Sequence, residues 1–290
     1  MLADRETAPA FHRMEISPDG AERLVLRFPG ADIAVSPADG ADLGIEFELR
    51  GADADLSGWQ PSVRRIESIL VIGEDSGPVK VTEIRARLPV ALRDLEIHGR
   101  TGDIEVRGLS MGLVIETVSG RIRVAGAASL EARSSEGEIE TEDTGLSDIK
   151  TGAGRIRAVR PEGRMTARSE SGDIEVEEAA ADLYLETATG EIGIARPRGR
   201  VRAMSQSGDI EIEAPLPFGG GEANTTSGHI GLSLSGASLE LRAETLSGRL
   251  RTPHGEVGNN TGPRRAALTV AQGGRRLHAK SISGDIEIDF

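Results

Sequence analysis

The chain has 290 residues and a formal net charge of −13, from 47 Asp and Glu against 34 Lys and Arg. This acidic balance opposes binding to nucleic acid and attraction to anionic lipid, because both are themselves negative. With no cysteine and only five scattered histidines, disulfides, thiol catalysis and the usual zinc ligand patterns are excluded. We therefore expect no cofactor and no nucleic-acid partner.

Residues 1–10 are predicted to form a flexible tail. The opening MLADRETAPAFHR lacks a basic segment followed by an apolar one, and no run approaches the roughly 18 apolar residues of a membrane span. The sequence therefore predicts no membrane insertion and a cytoplasmic protein, or a cell-surface protein if a signal was removed.

Residues 11–90 are predicted to form an N-terminal β region that acts as a cap or as irregular coils. Apolar residues alternate with polar ones at 22–28, 43–49, 66–73 and 79–88, which is typical of half-buried strands, with Gly, Asp and Pro between them. Phe11, Phe28, Phe47 and Trp59 all lie in the first sixty residues, so this region is expected to pack differently from the rest. The segment 30-GADIAV-35 resembles the later repeat with one extra residue.

From residue 91 a short motif recurs around one glycine per unit. The anchor glycines are Gly102, Gly120, Gly137, Gly154, Gly172, Gly190, Gly208, Gly228, Gly248 and Gly284. Most spacings are about 18 residues, which is too short for a unit to bury its own apolar face and is typical of a solenoid. The last gap spans two periods, so residues 253–276 are predicted to be a degenerate coil.

Each position relative to the glycine has a physical role. Apolar residues stand at −7, −5 and +2, with Ser147 and Gly221 as exceptions at −7, and a Ser or Thr stands at −3 in every unit except that of Gly102. Period-2 spacing places these residues on the inner faces of two strands, and the change of parity at the glycine marks a bend in a glycine-only conformation. A β-hairpin with a Ser-Gly turn is the alternative, but stacked parallel coils place hydroxyl on hydroxyl in a ladder.

The outward residues at +1 and +3 alternate in charge from one unit to the next. They are Asp103 and Glu105, Arg121 and Arg123, Glu138 and Glu140, Arg155 and Arg157, then Asp173 and Glu175. Coils stacked in register would pair each acidic unit with basic neighbours. The chain is thus predicted to be an all-β, parallel β-solenoid, right-handed by the general crossover preference. A β-propeller with blades of about 35 residues is the alternative.

The charge alternation stops after Asp173, and acidic residues follow. Asp173, Glu175, Glu191, Asp209 and Glu211 are the candidate ligands for a cation such as Ca²⁺, since hard cations take several oxygen ligands. The alternative is a solvated acidic face. No G-x-S-x-G elbow or phosphate loop is present, so no catalytic residue is assigned and no enzyme is expected.

The chain ends two residues after the last motif. We expect the 253–276 segment to fold back over an exposed last coil, with end-to-end assembly as the alternative.

The pattern L-x-[IA]-x-[TS]-x-[ST]-G-[DER]-I-x-[VI], introduced by RLPVALRDLEIHGRTGDIEV at 87–106, resembles the bacterial “putative adhesin” family known as domain of unknown function 4097. The resemblance covers about residues 30–290, implies a β-solenoid and carries no catalytic residues. We expect a non-enzymatic scaffold or protein-binding surface, with an unknown protein partner or self-association. The alternatives are a bactofilin-like protein that assembles end to end and an exported adhesin.

Overall fold

The computed structural model describes residues 9–51, 56, 58–74, 77–215, 217–235, 239–257, 262–270 and 275–290. The chain divides into two compact units, Met1–Arg133 and Ser134–Phe290. Most of the tail predicted for residues 1–10, and parts of the 253–276 segment, lie outside the described residues.

The first unit contains the strands up to β12, whose last residue is the first of the second unit. These strands are β1 (Ala10–Ile16), β2 (Arg23–Arg27), β3 (Asp32–Pro37), β4 (Leu43–Arg50), β5 (Ser62–Ile66), β6 (Ile69–Gly73), β7 (Lys80–Leu88), β8 (Asp94–His98), β9 (Ile104–Arg107), β10 (Gly112–Thr117), β11 (Ile122–Ala125) and β12 (Ser129–Ser134).

The second unit contains seventeen further strands among its described residues. They are β13 (Ile139–Glu142), β14 (Leu146–Thr151), β15 (Ile156–Val159), β16 (Met165–Ser169), β17 (Ile174–Glu177), β18 (Leu183–Thr187), β19 (Ile192–Ala195), β20 (Val201–Ser205), β21 (Ile210–Glu213), β22 (Gly221–Thr225), β23 (Ile230–Ser233), β24 (Leu239–Thr245), β25 (Leu250–Thr252), β26 (Gly255–Glu256), β27 (Arg264–Val270), β28 (Arg276–Ser281) and β29 (Ile286–Asp289).

Each regular coil of the second unit gives one strand to each of two mostly parallel sheets. The first sheet runs β13-β15-β17-β19-β21-β23-β29-β25-β26, and the second runs β14-β16-β18-β20-β22-β28-β24-β27. Equivalent motif positions pair directly, so that Ile174 lies beside Ile156 and Ile192. The predicted all-β, parallel β-solenoid is confirmed, and the propeller alternative is not needed.

The core consists of rows of like side chains along the stack. Ile174, Ile192 and Ile210 at the +2 position are each at most 1% exposed, as are Ala167 and Leu185 at −5. Burying one such Ile or Leu side chain is worth roughly 1.5–3 kcal/mol. Because each coil has only two short strands, its apolar rows are covered only when neighbouring coils stack on both sides.

The first unit contains a coil, formed by β2 and β3, that the spacing of the sequence motif indicated only weakly. The β2–β3 coil pairs in parallel with both the β6–β7 coil and the β8–β9 coil, which places Ile33 beside Ile104. The segment 30–35 is therefore part of a true coil. Strands β4 and β5 then pair antiparallel with β7 and β6, and β1 pairs antiparallel with β4.

Three aromatic side chains of the first unit pack together, centred on Phe47 in β4. The ring centroid of Phe47 lies 5.7 Å from that of Phe28 and 5.3 Å from that of Trp59. Rings this close pack edge to face or tilted and occupy more volume than the Ile and Leu rows of the regular coils. Phe11, the fourth aromatic of this region, is exposed, and a capping role for residues 11–90 stays a prediction.

The far end of the second unit corrects the expected order of the coils. The last coil, β28–β29, lies between the β22–β23 coil and the β24–β25 coil, and so it is internal. The segment expected to form a degenerate coil instead supplies β26 and β27, which pair antiparallel with β25 and β24. The two coils differ at +4, where β28–β29 has Ile288 and β24–β25 has Thr252, so β28–β29 gains more from being covered on both sides.

Left-handed residues at position +6 turn four successive coils of the second unit, those of Gly137, Gly154, Gly172 and Gly190. The φ angles are 50° at Asp143, 50° at Arg160, 57° at Glu178 and 54° at Arg196, a region that non-glycine residues seldom adopt. Arg160 lies 2.7 Å from Asp143, and Arg196 lies 3.0 Å from Glu178. The hydrogen bond from Arg160 lowers the pKa of the Asp143 carboxyl. The stabilisation that this ion pair gives the fold is therefore fully present at neutral pH. It is lost as the pH falls through the lowered pKa of Asp143.

Candidate functional site

The anchor positions require glycine mainly because a side chain would not fit there, and less because of the backbone conformation. Gly102 and Gly120 have φ angles of +102° and +100°, as expected for a glycine-only bend. From Gly154 onward the anchors do not have left-handed φ angles, but a Cβ on Gly172 would lie 1.9 Å from the carbonyl oxygen of Gly154. The glycine-only conformation is therefore wrong for these coils, where close contact between stacked backbones excludes a side chain.

The hydroxyls at −3 form a ladder, but their partners are backbone groups. In the coil of Gly190, the Thr187 hydroxyl accepts from the Gly190 N–H at 3.1 Å and donates to the Gly172 carbonyl of the neighbouring coil at 3.3 Å. Equivalent hydroxyls accept from the anchor glycine at 2.7–3.1 Å throughout the second unit. The expected hydroxyl-to-hydroxyl contact is therefore replaced by a relay between coils. These side chains are buried and bonded, and they are not placed as nucleophiles.

The aspartates at +1 also have a structural role, which the sequence analysis missed. Asp173 accepts a hydrogen bond from the backbone N–H of Glu191 at 3.0 Å, and Asp209 accepts one from that of His229 at 2.7 Å. Asp103 and Asp285 make the same contact to the next coil. The recurrence of Asp at +1 is the feature of the sequence that indicates this role, because a short carboxylate reaches the backbone of the adjacent coil.

The outward charges pair across neighbouring coils where they alternate. Arg155 lies 3.7 Å from Asp173 and 3.8 Å from Glu175, and Arg157 lies 3.1 Å from Glu177. All of these side chains are substantially exposed, so each pair is worth about 0–1 kcal/mol. The alternation therefore favours one register of stacking over others more than it stabilises the fold.

Beyond Glu175 the outer face of the first sheet changes to acidic rows separated by small residues. The +3 position follows the order Glu175, Gly193, Glu211, Gly231 and Glu287 in space, and the +5 position follows the order Glu177, Ala195, Glu213, Ser233 and Asp289. This alternation is visible in the sequence, at the second and fourth residues of the strands IEVE, IGIA, IEIE, IGLS and IEID, although it was not part of the sequence-based prediction.

The five predicted cation ligands are divided among three coils. Asp173 and Glu175 belong to the coil of β17, Glu191 to that of β19, and Asp209 and Glu211 to that of β21. In the part of the chain that the structure describes, no three Asp, Glu or His side chains are placed to hold a metal ion. The structure does not bring these residues together as one site.

We call the depression over β23 the Gly231 groove, a space of about 400 Å³. Its walls and floor are Glu211, Glu213, Gly231, Ser233, Glu287 and Asp289. Arg251 lies 3.6 Å from Glu287, and both side chains are exposed. Among the described residues, no ion pair within 4.0 Å involves the other three carboxylates, so the groove has unbalanced negative charge.

The architecture defines the class of protein: a parallel β-solenoid with a hydroxyl ladder inside and charged rows outside. The family model described as Toastrack DUF4097 matches residues 68–182 and 163–289. The chain therefore belongs to the Toastrack DUF4097 family.

Comparisons with curated proteins and with solved structures gave the following results. No curated protein matches the chain. A “putative lipid binding protein” from Parabacteroides distasonis is 13% identical, with a TM-score of 0.42 and coverage of 97% of this chain and 96% of the other. A “putative adhesin” from Bacteroides fragilis is 13% identical, with a TM-score of 0.34 and coverage of 96% and 97%.

A “putative cell adhesion protein” from Clostridium sporogenes is 11% identical, with a TM-score of 0.25 and coverage of 97% of this chain and 99% of the other. Within the described residues, no helix has the length and apolar character needed to cross a membrane.

Proposed function

We propose that the protein is a non-enzymatic scaffold that binds a partner protein through the outer face of the first sheet in the second unit. The observation that carries this proposal is the Gly231 groove, where three of the four wall carboxylates, Glu211, Glu213 and Asp289, have no ion-pair partner among the described residues. A surface of this kind is matched by a partner with positive charge.

The interior of the second unit supports a role in binding over a role in catalysis. Its recurring hydroxyls bond to backbone groups of adjacent coils, and its +1 aspartates do the same. The pair whose pKa values shift toward the charged forms, Asp143 and Arg160, is exposed, and its two members bond to each other. The chemistry available to a ligand is therefore that of the exposed rows.

The test compares partner capture by the wild-type chain and by matched charge variants. The groove variant is Glu211→Gln, Glu213→Gln, Glu287→Gln and Asp289→Asn. The control variant neutralises four carboxylates on the outer face of the second sheet: Asp148→Asn, Glu186→Gln, Glu222→Gln and Glu240→Gln. Both variants change the net charge equally, and unfolding curves establish that both are folded.

Quantitative mass spectrometry of the captured proteins gives the result. We expect a protein that is retained by the wild type and by the control variant and lost from the groove variant. Equal loss from both variants, or no protein that depends on either face, contradicts the proposal.

A further inference from the structure

The floor of the Gly231 groove contains a glycine that the fold does not require. A Cβ on Gly231 would find its nearest neighbour, the Glu211 Cγ, at an ordinary 3.7 Å, whereas one on the anchor Gly228 would lie 2.1 Å from the Gly208 carbonyl oxygen. Gly231 also has no left-handed φ angle. Glycine inside a strand destabilises by roughly 0.5–1 kcal/mol relative to alanine, and in strands it often marks close approach of a ligand or another backbone.

The walls of the groove form two matching levels along the strands. Glu211 and Glu287 flank Gly231 on its two neighbouring strands, and Glu213 and Asp289 flank Ser233 in the same way. Alternate residues of a strand are about 6.8 Å apart, and two strand spacings separate the walls by about 9.6 Å between Cα atoms. Each level is thus a pair of carboxylates on either side of a small residue.

The neighbouring positions are closed. At +1, His229 fills the space between Asp209 and Asp285, with its backbone N–H bonded to Asp209 and its Nδ1 accepting from the Asp285 N–H at 3.1 Å. The equivalent depression over Gly193 has one wall neutralised, because Arg155 pairs with Glu175 while Arg157 and Arg196 lie near Glu177. Among the described residues, the walls of the Gly231 groove have one arginine partner, Arg251 at 3.6 Å from Glu287, so the Ser233 level is unbalanced and the Gly231 level is only partly balanced.

We infer that the groove binds an extended segment of a partner protein that contains the pattern Lys-x-Lys. This inference rests on the proposed function and names the chemistry of the partner. In an extended chain, alternate side chains point to the same side and are about 6.8 Å apart, which equals the separation of the two levels. Each lysine ammonium then enters between two carboxylates and makes charge-assisted hydrogen bonds to them.

A divalent cation is a poorer match to the same carboxylates. Ca²⁺ needs six to eight oxygen ligands that converge at about 2.3–2.6 Å. The Cα atoms of the four acidic residues stand at the corners of a rectangle of about 6.8 by 9.6 Å, with a glycine and a serine between them. Two separate cationic groups satisfy this arrangement better than one central ion.

The experiment uses two capped peptides of identical composition, Gly-Ser-Lys-Ser-Lys-Ser-Gly-Trp and Gly-Ser-Ser-Lys-Lys-Ser-Gly-Trp. Titration calorimetry at low salt measures their affinities for the full chain. We expect the alternating peptide to bind about tenfold tighter, because adjacent lysines of an extended chain point to opposite sides. Gly231→Val, which fills the floor without changing any charge, should abolish that preference. The matched variant Gly193→Val should preserve it.

Each outcome decides the inference. Equal binding of the two peptides shows diffuse electrostatic attraction and overturns it, as does an equal effect of the two valine variants. Competition by Ca²⁺ at stoichiometric concentration assigns the groove to a cation and also overturns it. Thermal unfolding midpoints of both variants at or above the wild-type value establish that lost binding is not lost folding. If neither peptide binds while the groove-dependent capture succeeds, the inference fails and the proposed function stands.

Discussion

Gly172 and Gly193 are the same residue type in two different situations. A Cβ on Gly172 would lie 1.9 Å from the Gly154 carbonyl oxygen, whereas a Cβ on Gly193 would meet nothing closer than the Glu175 Cγ at 4.0 Å. We expect Gly172→Ala to destabilise the chain by about 2 kcal/mol or more, through forced separation of two coils. Gly193→Ala should raise stability by about 0.5–1 kcal/mol. Urea denaturation measures both, and equal effects would contradict the assignment of anchor and floor glycines.

The hydroxyl relay is testable at a single residue. Thr187→Val keeps the shape of the side chain and removes the partner of the Gly190 N–H, so we expect a loss of about 1–3 kcal/mol. Thr166→Val, on the outward face of the same sheet, provides the control and should change stability by less than about 0.5 kcal/mol. If the two variants unfold at the same urea concentration, the relay does not contribute to stability.

At the scale of elements, the placement of the last coil distinguishes this structure from a stack in chain order. Leu277 in β28 is fully buried, and Leu246 in the adjacent coil is 54% exposed. Leu277→Ala should cost about 2–5 kcal/mol, as for an internal coil, although it lies fourteen residues from the end of the chain. Leu246→Ala is the matched control and should have little effect. A small, equal effect of both substitutions would indicate that β28–β29 is a frayed terminal coil.

The sequence predicts the coils well, because each motif position has the same structural role in every coil and therefore has the same kind of residue. An apolar side chain at +2 or a hydroxyl at −3 can satisfy the core in only one orientation, so the inner rows follow from spacing alone. The order of coils at the end of the second unit does not follow, since the β24–β25 and β28–β29 coils have nearly the same motif. Which of these two coils lies next to the β22–β23 coil is seen only from the strand pairing in the structure.

The sequence predicts the candidate site less completely than it predicts the coils. The acidic residues Glu211 and Asp209 are evident in the sequence, but their neighbours across the sheet depend on which coils are adjacent. Asp289 and Glu287 join the groove only because β29 pairs with β23 rather than with a coil in sequence order. The inserted coil therefore creates one wall of the Gly231 groove.

At the scale of the whole molecule, the edge strands of the second sheet, β27 and β5, oppose the end-to-end assembly considered from sequence. Strand β27 begins with Arg264 and Arg265, and strand β5 contains Arg64 and Arg65. Like charges on edge strands oppose the pairing of copies through these edges. We expect the molar mass from light scattering to be that of a single chain, 30.6 kDa, and independent of concentration. Growth of mass with concentration would support the filament alternative.

The central claim is that the outer face over Gly231 is the surface that binds a partner. A photo-crosslinking amino acid placed at Ser233, on the exposed floor of the groove, tests this claim in cells that express the chain. The matched position is Tyr184, which is exposed on the outer face of the second sheet. We expect a crosslinked partner protein from position 233 and none from position 184. Adducts of equal yield at both positions, or none at 233, would contradict it.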